Sequence, residues 1–147
     1  MTSIKLTTTK KQIDDYIASQ IRANEAGIIK GLQYMGEECV NIARQNGSYK
    51  DQTGNLRSST GYLVAVNGAI VRESGFNAVK QGANGTAKGK DYIHRILSKS
   101  GSGIVLIVVA GMNYAKHVAA RGRDVLDSAE RYAELHVYEI LKRVFKP

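Results

Sequence analysis

The chain has 147 residues, of which 43% are hydrophobic and 23% are charged, and this balance excludes a wholly disordered protein and suits one globular domain. Its 21 Lys and Arg residues against 13 Asp and Glu give a net charge of +8, which raises the expectation of a nucleic acid or an acidic protein as partner. The single cysteine, Cys39, excludes an intrachain disulfide and a cysteine-based metal site, and it fits a reducing compartment.

A long amphipathic helix is predicted near the N-terminus. Thr9 and Gln12 have the spacing of a capping box, so we expect the helix to begin near Thr9. Apolar residues then recur at spacings of three, four or seven, which forms one stripe on a helix: Ile13, Ile17, Ile21, Ile28, Leu32, Met35, Cys39 and Ile42. The pattern stops at Asn46-Gly47, which predicts a left-handed C-terminal cap.

This helix is too long for one domain of this size. It would measure about 55 Å, whereas a compact domain of this length is only about 40 Å across. Either the helix bends where Gly27 and Gly31 weaken it, or the stripe residues Ile13, Ile17 and Ile21 extend past the core. In the second case an apolar face would stand in water, which normally marks a surface for a partner. We therefore predict that the helix bends or mediates self-association.

A strand and a hairpin follow the helix. Larger side chains alternate with smaller or polar ones from Leu56 to Val66, which predicts a strand. The dipeptide Asn67-Gly68 then separates Val64–Val66 from Ala69–Val71. Because both central residues of a type I′ turn need positive φ, this dipeptide predicts a two-residue hairpin and hence a small antiparallel sheet.

The segment Asn77–Gly103 is predicted to be a long, mobile, basic loop. It is rich in glycine and lysine and offers little apolar surface to offset the entropy of ordering its backbone. The short cluster Tyr92–Leu97 is the exception, since it could form one amphipathic turn. Lys88 and Lys90 are the residues of this loop that we consider for contacts with a partner.

The last third of the chain predicts a buried strand and a helix. Ile104–Ala110 is a β-branched run without polar alternation, typical of a central strand that is buried on both faces. It is also the longest apolar run, far below the roughly 18 residues that span a bilayer, and Met1–Tyr16 lacks the features of a secretory leader. Asp127–Glu130 has the spacing of a helix cap before the apolar residues of the C-terminal end. We therefore predict one α+β domain over residues 1–147, made in the cytoplasm and without a membrane partner.

Patterns that usually carry chemistry are incomplete in this sequence. The segment Gly82–Lys90 fails as a phosphate-binding loop, because Asn84 stands where the first glycine belongs and Asp91 follows the lysine. Cys39 lies on the apolar stripe, which favours a small buried hydrophobe over a reactive thiol. The histidines are scattered without metal-ligand spacing: His94, His117 and His136. We expect no enzyme activity, no cofactor and no metal.

Two short motifs resemble a known protein family. Thr53–Ser59, which reads TGNLRSS, resembles the TGNLR-S signature of small tail-component proteins of long-tailed phages and prophages. Asn113–Val118 is similar to the segment YA-x-x-V-E-x-G of the same family, and the order and spacing agree over roughly residues 10–145. The sequence departs from the family at Ala119, where members commonly have Glu, and at Asp124–Leu126, where many have Pro-Phe-Leu.

The resemblance implies a structural virion protein that acts in head-tail joining or tail completion, with copies in a ring at the neck. The implied partners are other virion proteins, namely the connector or adaptor and the tail terminator or tube, and the implied location is the virion. From the residues alone, Gly54 and Asn55 suit the left-handed backbone of a helix-to-strand turn, Leu56 anchors the strand and Arg57 is free to pair outward, so the motif is either a structural turn or a partner-binding one. The partner-binding candidates are Arg57, Tyr114, Arg121, Ile13, Ile17, Ile21, Lys88 and Lys90.

Two other functions stay open at this point. A basic nucleic-acid-binding module would use the loop, and its binding should fall steeply with salt as phosphate contacts release counterions. A hydrolase in an unfamiliar arrangement would need polar groups that converge in a pocket.

Overall fold

A three-stranded sheet with helices on both faces forms the domain. The computed structural model describes Ser3 and residues 9–47, 53–112 and 125–144. The elements in chain order are α1 (Lys10–Asn46), α2 (Asn55–Ser58), β1 (Thr60–Val66), β2 (Ala69–Gly75), α3 (Ala83–Leu97), β3 (Ile104–Ala110) and α4 (Asp127–Val144). The strands are antiparallel and lie in the order β2-β1-β3. The predicted α+β class, with a long first helix and a last helix, is therefore confirmed.

The start of α1 matches the prediction and its end does not. The Thr9 N–H donates to Gln12 Oε1 at 3.0 Å and the Gln12 N–H donates to Thr9 Oγ1 at 3.2 Å, so the capping box is complete. At the other end Gly47 has φ −57° rather than the predicted left-handed conformation. Carbonyl groups there are satisfied by a side chain instead, because the Arg57 guanidinium donates to the Arg44 and Gly47 oxygens.

The sheet is packed on both faces, which explains why β1 is buried almost throughout. On one face Tyr62 and Val64 pack with Val40 of α1. On the other face Leu63 and Ala65 belong to a cluster with Ile93 of α3. Since successive strand residues point to opposite faces, a strand between two helical layers loses the polar alternation of a half-exposed strand.

The hairpin is confirmed, whereas two other predictions need correction: where the first strand begins and which strand is central. Asn67 and Gly68 have φ of 51° and 84° and separate β1 from β2. The strand begins at Thr60 rather than Leu56, because the preceding residues form the short helix α2. The central strand is β1 and not Ile104–Ala110, which is β3 at the sheet edge and mostly half-buried.

A helix, α3, occupies most of the segment that was predicted to be a loop. The N-cap residue Gly82 and the helix residues Gly85 and Gly89 are spaced by three and four, so they lie along one side of α3, and all three are buried. A Cβ on Gly85 would collide with the backbone of Asn55, and one on Gly89 with the carbonyl oxygen of Ser59. The glycines thus allow two elements to approach closely, a role that composition alone does not distinguish from chain flexibility. Within the described ranges, no helix is both long enough and apolar enough to cross a membrane.

Candidate assembly surface

The motif Thr53–Ser59 forms the joint between α1, α3 and the sheet. Gly54 has φ +79°, and a side chain there would collide with the Val79 carbonyl group, so both the backbone conformation and the space require glycine. Asn55 Oδ1 accepts a hydrogen bond from the Gly85 N–H at 3.0 Å, and Ser58 Oγ accepts one from the Val79 N–H at 2.9 Å. Asn55 and Ser58 therefore bind backbone groups in the first turn of α3 and in the segment that precedes it.

Leu56 supplies the apolar part of the same joint. Its side chain is 1% exposed and packs in a cluster with Met112 and Val125, against which Ala110 and Leu126 also lie. This cluster brings together α2, the end of β3 and the residues just before α4. The motif is thus explained by packing inside the chain, as its structural interpretation predicted.

Arg57 does not point outward, contrary to the prediction that it is free to do so. Its Nε and Nη2 atoms donate to the Arg44 and Gly47 carbonyl oxygens, both at 3.1 Å, and the contacts are partly buried. A planar guanidinium suits this task, since its donors lie in a rigid fork that can reach two acceptors at once. The side chain ties α2 to the C-terminal end of α1, and a role for Arg57 in binding a partner stays a prediction.

Replacing Arg57 with lysine should destabilise the fold by about 1 kcal/mol, because a single ammonium group does not reproduce the two-pronged contact. Urea unfolding of the purified protein measures this difference. Arg95→Lys is the matched control, since the Arg95 side chain is 69% exposed and pairs with Asp91 on the same helix. Equal midpoints for the two variants would show that the Arg57 contact adds nothing to stability.

The first half of α1 projects beyond the rest of the domain. We call residues 10–26 the overhang, because all of them except Ala18 and Asn24 are exposed. Ile13, Ile17 and Ile21 are exposed by 46%, 50% and 52%, although they share one face of the helix; we call these three residues the overhang stripe. An apolar row of this kind in water is a candidate surface for contact with another protein.

The overhang decides between the two alternatives that the helix length posed. The helix is continuous through Gly27 and Gly31. Gly31 has a packing role, since a Cβ there would lie 2.8 Å from Ile140 Cγ2 of α4. The structure therefore has the arrangement in which the stripe extends past the core.

The other candidate residues divide into two groups. Lys88 and Lys90 are exposed on α3, but the neighbouring Asp91 pairs with Arg95 at 2.9 Å and His94 contacts Glu73, so the exposed surface of this helix carries charges of both signs. Tyr114 and Arg121 lie outside the described residues, as do Asn113–Val118 and the departures at Ala119 and Asp124.

One cavity of about 320 Å³ lies between α1, β3 and α4, and its lining is mainly apolar. The residues around it are Cys39, Leu106, Val108, Leu126, Ala129, Glu130 and Ala133. The Cys39 thiol donates to the Ala129 carbonyl oxygen at 3.6 Å. Burial, together with the adjacent Glu38 carboxylate, raises the pKa of this thiol, which favours its neutral form. Glu130 is the only carboxylate among these residues, so the described lining of the cavity holds no converging polar groups of the kind that a hydrolase needs.

The described parts of the chain hold no group of three or more His, Cys, Asp or Glu residues placed to bind a metal ion. Protein-family models, curated proteins and solved structures were compared with the chain, and none of them matches it.

Proposed function

We propose that this chain is a structural subunit of the neck of a long-tailed phage or prophage virion, where it acts in head-tail joining or tail completion as a member of a ring. The observation that carries the proposal is the overhang, a helical arm with an apolar stripe outside the core. The motif resemblance indicates that the assembly is a phage neck, and the overhang provides a surface through which the subunit can contact its neighbours. The virion, reached from the host cytoplasm, is the location that follows.

The partners in this proposal are the virion proteins on either side of the subunit, together with further copies of the chain. A connector or adaptor would lie on the head side and a tail terminator or tube protein on the tail side. A helical arm that reaches outside its own domain can place apolar side chains on a neighbour, as helices do when they lie in apolar grooves. Such a role needs complementary surfaces and no catalytic group.

Deletion of the gene from its phage or prophage genome tests the proposal. After induction of the lysogen, electron microscopy should show separate heads and tails in place of complete virions, because the joining subunit is missing. A plasmid copy of the wild-type gene should restore virions. A copy with Ile17→Glu should not, since a charge on the stripe opposes its burial. Normal virion yield after deletion would contradict the proposal.

A basic nucleic-acid-binding module is the second candidate, because Lys88 and Lys90 are both exposed on α3. The carboxylate of Asp91 beside them weakens this argument. The two functions differ in their response to salt. Tight binding to duplex DNA in moderate salt, with a steep decrease as salt rises and a loss after Lys88→Glu and Lys90→Glu, would favour the module over the neck subunit.

A further inference from the structure

The overhang stripe is the largest unexplained feature of the described surface, and the residues around it point to a specific occupant. We propose that two copies of the free protein pair through their overhangs in antiparallel orientation, with Ile17 of each copy on the two-fold axis. In this pair Ile13 of one copy lies opposite Ile21 of the other. The proposal concerns the free protein and does not depend on the proposed role in a virion.

The stripe continues an interface that already exists within the chain. Further along α1, the same face contacts α4: Gly31 lies against Ile140 and the Cys39 thiol against the Ala129 carbonyl. These contacts show that α1 and α4 run antiparallel, so the C-terminal end of α4 lies near the middle of α1. The face that α4 covers therefore continues without cover along the overhang, and a second helix in the orientation of α4 would extend the same packing.

A second copy of the overhang has the length that this site requires. The overhang measures about 25 Å along its axis at 1.5 Å per residue. When two such segments pair antiparallel about Ile17, each covers the other from the level of Lys10 to about the level of Asn24. Each copy thereby covers three isoleucines of the other copy that would otherwise face water. The same removal of apolar surface from water stabilises the contact between α4 and the corresponding face of α1.

Charges beside the stripe favour the antiparallel orientation. With Ile17 on the axis, Lys10 lies within about 1.5 Å, measured along the axis, of the level of Glu25 in the second copy. Asp14 lies within about 3 Å of the level of Arg22 in the second copy. Lys11 lies within about 1.5 Å of the level of Arg22, but Lys11 is about 120° around the helix from Ile17 whereas Asp14 is only about 60° from it, so the attractive pair lies nearer the contact than the repulsive one. A parallel pair would instead place Lys10 at the level of Lys10 and Asp14 at the level of Asp14, so Glu25 and Arg22 would lie about 22 Å and about 12 Å farther along the axis and neither pair of opposite charges would form.

Cysteine crosslinking tests both the contact and its register. Under mild oxidation Ile17→Cys should form an interchain disulfide, because residues on the axis come within the short Cα distance that a disulfide needs. Ile13→Cys and Ile21→Cys should each crosslink poorly alone and efficiently when the two variants are mixed. The wild type provides the background, since its own Cys39 is 2% exposed.

Sedimentation across a concentration series measures the same dimer without crosslinks. We expect a reversible dimer, as two helical segments make a contact at the small end of specific interfaces. Ile17→Glu should weaken the dimer at least about tenfold, since two negative charges would meet on the axis. Ser19→Glu is the matched control, because Ser19 is exposed and lies on the opposite face of the same helix. Circular dichroism checks that both variants fold.

Two results would overturn the proposal. One is a wild type that stays monomeric at all concentrations. The other is self-crosslinking by Ile13→Cys and Ile21→Cys that is as fast as that of Ile17→Cys, which would indicate a parallel pair. Either result leaves the neck function open, because the deletion experiment tests that function separately.

Discussion

Replacing Leu56 with alanine should lower the free energy of unfolding by about 2–5 kcal/mol, the range measured when a fully buried leucine is truncated. Leu56 is 1% exposed and packs with Met112 and Val125, so its removal leaves a cavity where three parts of the chain meet. The neighbouring residues cannot easily relax into this cavity. On its other side α2 is held in place, because Ser58 and Asn55 accept hydrogen bonds from the Val79 and Gly85 backbone. Chemical denaturation followed by circular dichroism measures the change.

Leu135→Ala is the control for this truncation. Leu135 is 73% exposed on α4, so the same change of side chain should alter stability by less than about 0.5 kcal/mol. The comparison also addresses the motif. If Leu56→Ala loses the expected free energy of unfolding but still forms the proposed dimer, the motif TGNLRSS maintains the fold. If the variant is as stable as the wild type but assembles poorly, Leu56 belongs to a contact between proteins.

Replacing Gly85 with alanine should destabilise the protein by about 2–3 kcal/mol, although alanine is the better helix former by about 1 kcal/mol. The new methyl group would collide with the Asn55 backbone. It would also push α3 away from Asn55 Oδ1, which accepts the Gly85 N–H. Since the atoms that the methyl group would meet are backbone atoms of Asn55, rotation of a side chain does not relieve the collision.

Asn84→Ala provides the comparison within the same helix. Asn84 is exposed and next to Gly85, so alanine there should leave stability unchanged or raise it slightly. If Gly85→Ala stabilised the protein as much as Asn84→Ala did, α3 would not be packed closely against α2. Such a result would return the glycine-rich segment to the mobile loop that composition predicts.

Local signals predicted the elements whose structure is determined locally. The capping box at Thr9 and the Asn67-Gly68 turn depend on residues within four positions of each other, and both appear in the structure. The stripe of α1 was also predictable from its spacing. The length of the helix compared with the size of the domain left two alternatives, a bend or an exposed stripe, and the structure shows the exposed stripe.

Features that depend on distant contacts were missed. Gly82, Gly85 and Gly89 look like loop residues until α2 is placed against them, although their spacing of three and four is a helical signal that could have been used. The strand order was missed for a similar reason. Ile104–Ala110 is more apolar than β1, yet the central strand is β1, which pairs with both β2 and β3. The Arg57 contact with the Arg44 carbonyl joins residues 13 positions apart, which no local pattern specifies.

The sheet order also affects how quickly the domain can form. The pair β1-β2 closes across a two-residue turn, whereas β3 joins β1 only after the chain between them, including α3, has folded back. Closing that longer segment has an entropic cost before any contact between β1 and β3 offsets it. Asn67 lies where the two events meet: its N–H donates to the Gly103 carbonyl at 2.9 Å, and its Oδ1 accepts the Gly103 N–H at 2.8 Å. Asn67 thus forms the hairpin turn and also fixes the residue before β3. The fast, local step, formation of the β1-β2 hairpin, therefore provides the strand edge with which β3 pairs in the slow, long-range step.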